Sequence, residues 1–215
     1  TRDVTGSGSD TNETGQEVGG LVGELVHDST SEVVANASAT GDVRTGGGNT
    51  GGLIGRDTGG GTVKDGYARG NVSADNLFGT NGLDVGGLIG QASGEIVRVY
   101  ASGRVEGNNG NPGGIVGSGG TLSDAYWDKA ATTQTDATGS GTPAGATGYG
   151  SVGDTTPAPR MQSTAATEFM SGLDYTTTWN TTRGYPVLQA QAIGTEQPPR
   201  TVDTIEATNA SGVQS

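Results

Sequence analysis

Cysteine is absent from all 215 residues, which excludes a disulfide framework and any thiolate chemistry. Such a chain fits an archaeal or bacterial exterior better than a small eukaryotic secreted module. Lysine occurs only at Lys64 and Lys129, and 23 acidic residues against 11 Lys and Arg give a formal net charge of −12. Acidity spread along the chain argues against nucleic acid, whose phosphates need Lys and Arg, and against anionic membrane surfaces. Histidine is limited to His27, beside Asp28. A zinc site or a histidine-based triad therefore has little to work with in cis, and His27 is expected on a surface loop. No apolar run approaches the roughly 18 residues that span a bilayer. No signal-peptide pattern is read in the given residues, and the start at Thr1 is expected to be a processed mature end or the start of an excised fragment. Hydrophobic residues at 30% and aromatics at 5% are too sparse for an ordinary globular core.

Glycine is abundant instead, at 42 residues, without the period of three that marks collagen. Much of it sits in a repeated word: GGLVG at 19–23, GGLIG at 51–55, GGLIG at 86–90 and GGIVG at 113–117, spaced by 32, 35 and 27 residues. Such spacing marks stacked-repeat architectures. A second word follows in each unit: Ala39-Thr40-Gly41-Asp42-Val43, Tyr67-Ala68-Arg69-Gly70-Asn71-Val72 and Tyr100-Ala101-Ser102-Gly103-Arg104-Val105. Unit four ends differently, in Ala125-Tyr126-Trp127-Asp128. The words are too short and glycine-rich for helices, where each glycine costs about 1 kcal/mol, and they read as short strands. Stacked at about 4.8 Å, they predict an all-β, β-solenoid fold with Leu21, Leu53, Leu88 and Ile115 in one core column. The flanking glycines are expected to turn the corners at positive φ. Adjacent strand residues face opposite ways, so Leu53 and Ile54 both point inward only if the strand is irregular. Otherwise the outward one needs a covering loop or subunit.

GG-[LI]-[VI]-G followed by Y-A-x-G-x-V resembles the GLUG motif of bacterial and archaeal surface proteins. "AYWDKAATTQT" (125–135), "GYGSVGDTTPAPRMQ" (148–162), "FMSGLDYTTTW" (169–179) and "RGYPVL" (183–188) resemble the segment that closes such arrays. The resemblance covers about residues 19–190 and implies a β-solenoid exposed outside the cell, with no fixed ligand. Unit one departs from the pattern, with Ser38 where Tyr67 and Tyr100 stand. The expected organisation is a polar extension at 1–18, a four-repeat solenoid at 19–127, a closing cap at 128–191 and an extended polar tail at 192–215. Within the cap, 128–160 reads as a long irregular loop. Thr164 is expected to cap a short helix through Met170 that sets Ala166, Phe169, Met170 and Leu173 on one side. Trp127, Trp179 and Tyr185 are expected to cover the last coil and its open edge.

Candidate site residues are few. Sequons at Asn12, Asn36, Asn71, Asn180 and Asn209 are acceptor candidates for N-glycosylation. Asp57, Asp65, Asp75 and Asp84 lie in turn-rich segments, where calcium is one reading; with neither an EF-hand nor a G-G-x-G-x-D repeat, solvated acidity is the favoured one and no cofactor is expected. The glycines at 46–48 and 59–61 lack the Gly-Lys-[ST] of a phosphate loop. No catalytic residue, cofactor or metal site is otherwise indicated. "TVDTIEAT" (201–208), with Val202 and Ile205, is a candidate strand for addition to a neighbouring subunit's sheet edge. Three functions compete. The first is a non-enzymatic extracellular structural protein that self-associates into a cell-surface filament or acts as an adhesin. The acidic, Lys-poor composition suits a salt-loving microbe, because molar salt shortens the Debye length to about 3 Å. The second is a carbohydrate-binding module that would need Tyr67 and Tyr100 in an exposed ladder. The third is a β-helix polysaccharide hydrolase or lyase, using Arg69, Arg98 or Arg104 with Asp65.

Overall fold

A computed structural model describes residues 4–6, 17–75, 84–108 and 112–192. The chain opens with β1 (Val4–Gly6). Coil one contains β2 (Val18–Gly19), β3 (Val22–Val26), β4 (Val33–Ala39) and β5 (Val43–Thr45). Coil two repeats this with β6 (Thr50–Gly51), β7 (Ile54–Thr58), β8 (Thr62–Ala68) and β9 (Val72–Ala74). In coil three, β10 (Val85–Gly86) leads to β11 (Ile89–Ala101), which spans two sides without a break, and then β12 (Val105–Gly107). Coil four is the long β13 (Val116–Asp128). Then come α1 (Lys129–Thr132), β14 (Ala146–Tyr149), α2 (Ala165–Phe169), β15 (Trp179–Asn180), β16 (Val187–Leu188) and α3 (Gln189–Ala192).

Equivalent strands of successive coils pair in parallel, giving an all-β solenoid of about three full turns. Register is kept from coil to coil, so Val63, Ile96 and Leu122 stack inside, as do Val43, Val72 and Val105. The corner column expected from the repeated words is present: Leu21 N donates to Leu53 O, Leu53 N to Leu88 O, and Leu88 N to Ile115 O, at 2.8–2.9 Å. Leu53, Leu88 and Ile115 are fully buried. Leu21 is not, with 56% of its surface exposed, because coil one is the end of the stack at that corner. Leu53 and Ile54 do both face the axis. The chain bends at Gly52 and Leu53, between β6 and β7, so Leu53 is a corner residue rather than a strand residue.

The glycines of the words serve a different purpose from the one expected. None of them is at positive φ; they permit backbone contact. A Cβ on Gly51 would lie 2.0 Å from Ile54 O, and one on Gly52 would lie 2.3 Å from Gly87 O of the next coil. The left-handed positions instead form a column on the long side, at Asn36, Asp65, Arg98 and Asp124, with φ of 50–57°. The flanking residues of all four pair in register, so each coil kinks at the same level.

The closing segment also sits elsewhere than expected. Of the three aromatic residues expected to cover the last coil, Trp127 is the one that plugs it: it stacks in register on Ala39, Ala68 and Ala101 and is 1% exposed. The corner ladder continues one step beyond coil four, as Ile115 N donates to Ala137 O. The 128–160 stretch is not structureless, because α1 follows coil four directly and β14 adds a parallel strand to β13. Thr164 precedes α2 but makes no capping hydrogen bond. Ala166, Met170 and Leu173 are buried as expected, and Phe169 is half-buried. Among the described residues no helix is long and apolar enough to cross a membrane.

Candidate functional site

Most of the chain's aromatic chemistry is gathered on one outer face. In-register pairing lines up Ser38, Tyr67, Tyr100, Tyr126 and Thr147 on successive coils. The rings of Tyr67 and Tyr100 stack with centroids 5.1 Å apart and planes 5° apart, and Trp179 leans on both at 6.0 and 5.8 Å. Residues 169–191 run back across this ladder as a strap. Tyr149 OH donates to Phe169 O, Gly172 N to Tyr126 OH at 3.0 Å, Tyr100 OH to Pro186 O at 2.6 Å, and Tyr67 OH to Gln191 Oε1 at 2.6 Å. Gln191 Nε2 reaches Ser38 Oγ on coil one. The strap therefore crosses from the last coil to the first, one hydroxyl per coil. Burial pushes the hydroxyls of Tyr100, Tyr126, Tyr149, Tyr175 and Tyr185 up from their ordinary value. They remain neutral hydrogen-bonding groups, unsuited to act as bases or nucleophiles.

Two buried carboxylates anchor the strap. Arg98 donates to Asp65 through Nε and Nη2, both at 2.7 Å, and Trp179 Nε1 donates to Asp65 Oδ1 at 3.3 Å. The Asp65 hydrogen bonds hold the Arg98 guanidinium above its ordinary pKa. Asp128 accepts from Ala130 N and Ala131 N through Oδ1, which starts α1, and from Ala158 N and Tyr185 OH through Oδ2, both at 2.6 Å. Asp128 was not singled out from sequence, although an aspartate directly before Lys-Ala-Ala-Thr is a helix-start signal.

The predicted site residues are dispersed. His27 is buried at 5% exposure and does not lie on a surface loop. Its Nε2 is 3.2 Å from Asp57 Oδ1 and its Nδ1 is 3.6 Å from Glu32 Oε2. Neither His27 Nε2 nor Asp57 Oδ1 completes an aligned hydrogen bond. The backbone at Gly61 leaves room for the ring, since a Cβ there would be 2.2 Å from His27 Nδ1. Burial raises the Asp57 pKa, opposed by the Ser93 N–H and by His27. The four calcium candidates are not brought together: Asp57 faces His27, Asp65 pairs with Arg98, Asp75 pairs with Arg44 at 2.6 Å, and Asp84 accepts from Gln91 at 3.3 Å. Among the described residues no acid or histidine cluster could hold a metal ion. Arg69 lies 4.9 Å over the Tyr67 ring, and Arg104 pairs with Glu106, so the arginines considered for hydrolase chemistry are spread over separate contacts. Tyr67 and Tyr100 are 3% and 0% exposed, which overturns the exposed sugar-stacking ladder.

Asn36, Asn71 and Asn180 are exposed. Asn71 lies just before β9, and its Oδ1 accepts from Arg104 N at 3.0 Å. Asn12, Asn209, Val202 and Ile205 lie outside the described residues. Where the tyrosine ladder stops at Ser38, a cleft of about 450 Å³ opens, lined by Ser38, Thr40, Tyr67, Arg69, Thr182 and Gln191 among others.

In sequence, the chain is similar to halomucin. That protein, from Haloquadratum walsbyi, is 65% identical over 239 aligned residues, covering 99% of this chain and 3% of its own length. A putative Gly-rich membrane protein of Evansella cellulosilytica is 39% identical over 90 residues, covering 38% of this chain and 10% of its own. The chain thus spans a small part of both relatives. No protein-family model matches it, and no solved structure does.

Proposed function

We propose that the chain is a non-catalytic structural segment of an extracellular surface protein from a salt-loving microbe, serving as a rod element of a surface filament or adhesive appendage. The observation that carries this reading is the strap. It seals the aromatic face and engages the Asp65–Arg98 pair, leaving the residues best suited to chemistry or sugar stacking committed to holding the coils together. The similarity to halomucin supports it, through a name that joins salt and mucin and through the small share of that longer protein which the chain spans. The GLUG-like repeat words and the net charge of −12 point the same way. In this reading copies associate with one another, with residues 201–208 as the candidate connecting strand, and the exposed Asn36, Asn71 and Asn180 are the described positions for glycan. Electron micrographs of native material in molar salt test it: rods or filaments are expected, and dispersed lone particles would count against the filament.

A further inference from the structure

The two ends of the solenoid are unlike. The end at coil four is plugged by Trp127 and extended by Ala137 and β14. At the other end the described residues leave the stack open. The large hydrophobic residues most exposed among the described ones are Leu21 at 56%, Val26 at 61%, Val33 at 50% and Val152 at 48%; the first three all belong to coil one. Among the described residues, β3 and β4 pair on one side only, with β7 and β8. An unpaired parallel edge beside exposed apolar side chains is a surface that folded proteins otherwise cover.

One of the coil's sides is already covered. β1 pairs with β5 in the register that β5 keeps with β9 and β9 with β12, setting Val4 against Val43, Val72 and Val105. The local sequence agrees: Asp3-Val4 repeats the polar-Val step of Asp42-Val43, Asn71-Val72 and Arg104-Val105. β1 is thus the last strand of a coil whose other three sides would stack on β2, β3 and β4. We infer that the open face of coil one is a joint for one more coil of this repeat, supplied in the same polypeptide on the N-terminal side of β1. The extent of the similarity to halomucin, nearly all of this chain but a small fraction of that protein, fits a solenoid set within a longer polypeptide. A second copy docking end to end is the rival occupant. It would meet β1 first, which stands one strand spacing, about 4.8 Å, beyond the β3 and β4 edges.

The register defines the test. Ala68 precedes Val72 by the same four positions that separate the residue before Thr1 from Val4, so a copy of residues 49–68 fused ahead of Thr1 in the full chain supplies the three sides in frame. The expected result in molar salt is a monomer whose thermal midpoint rises by several degrees. Amide exchange in β3 and β4 should slow by about tenfold or more as their edges are paired, and binding of an apolar-surface dye should fall. A copy of residues 84–101 serves as a second extension in case the first fails to fold. If neither extension slows exchange in β3 and β4, the inference is overturned. It is equally overturned if the unextended chain forms a dimer in sedimentation that protects the same strands. The exchange outcome does not depend on whether native material forms filaments. A dimer that protects these strands overturns the inference by either route, and deleting residues 201–208 tells the routes apart: a dimer that persists is the end-to-end contact, and one that is lost is the strand addition proposed above.

Discussion

Removing the Arg98 guanidinium leaves the Asp65 carboxylate beneath Trp179 without its countercharge. Asp65 is 4% exposed, and stranding one member of a fully buried pair costs about 3–5 kcal/mol; the Arg98 side chain is 29% exposed, so water reaches the pair and the expectation falls to the bottom of that range or just below it. Arg98→Met is therefore expected to lower the unfolding free energy from urea titration by about 2–3 kcal/mol, with the strap loosening as read by Trp179 fluorescence. A second residue-scale expectation concerns acid. Burial raises the Asp57 pKa in the folded state from 3.8, so between 3.8 and the raised value the folded chain binds more protons than the unfolded one. Asp57 then contributes most stability at the acid side of that window and loses it as pH rises through the folded pKa. His27 faces the carboxylate, and Glu32 faces His27. Relative to Asp57→Asn, the natural chain should lose stability as pH is raised through this window. A difference between the two that is flat with pH would contradict the assignment.

At the scale of the coil, the paired glycines are a spacing device. Gly52 lies against the carbonyl of Gly87 in the next coil, so Gly52→Ala requires two coils to part rather than one side chain to move. Overpacking of this kind costs about 1–3 kcal/mol or more, and local exchange in β6, β7 and β10 should quicken. This element was the most legible part of the sequence. Four recurrences of one apolar step between glycines can be satisfied together by a stack, and Leu53, Leu88 and Ile115 lie where that argument puts them. Leu21 carries the same word but lacks a neighbour on one side, a difference that local sequence does not encode. The role of the glycines was misread because turning and close approach favour the same residue. The strap was half legible: Trp179, Tyr185 and Met170 announced themselves as buried, but the face they cover depends on Ser38, Tyr67, Tyr100 and Tyr126 aligning across some 90 residues. His27 was misplaced for a similar reason, since Asp57 and Gly61, which enclose it, come from the next coil.

Across the whole molecule, a formal charge of −12 is spread over a thin structure with little interior to absorb repulsion. Screening shortens the reach of that repulsion from about 10 Å at 0.1 M salt to about 3 Å at 1 M, and salts excluded from the surface strengthen burial. The thermal midpoint should therefore climb with salt, by roughly 5 °C between 0.2 and 2 M, which corresponds to about 2 kcal/mol for a chain of this size. A midpoint that falls or stays level across that range would separate this protein from the high-salt setting its composition suggests.

Because residues 169–191 travel back over the coils, the chain enters coil one near Val18 and leaves beside Ser38 of the same coil. A pull applied through those two points does not stretch the stack along its length. It acts at one end, with coils two to four hanging off the line of tension. Gln191 would give way first, then Pro186 and Gly172 in turn, so the module would peel open at modest load while its stacked interior stayed intact.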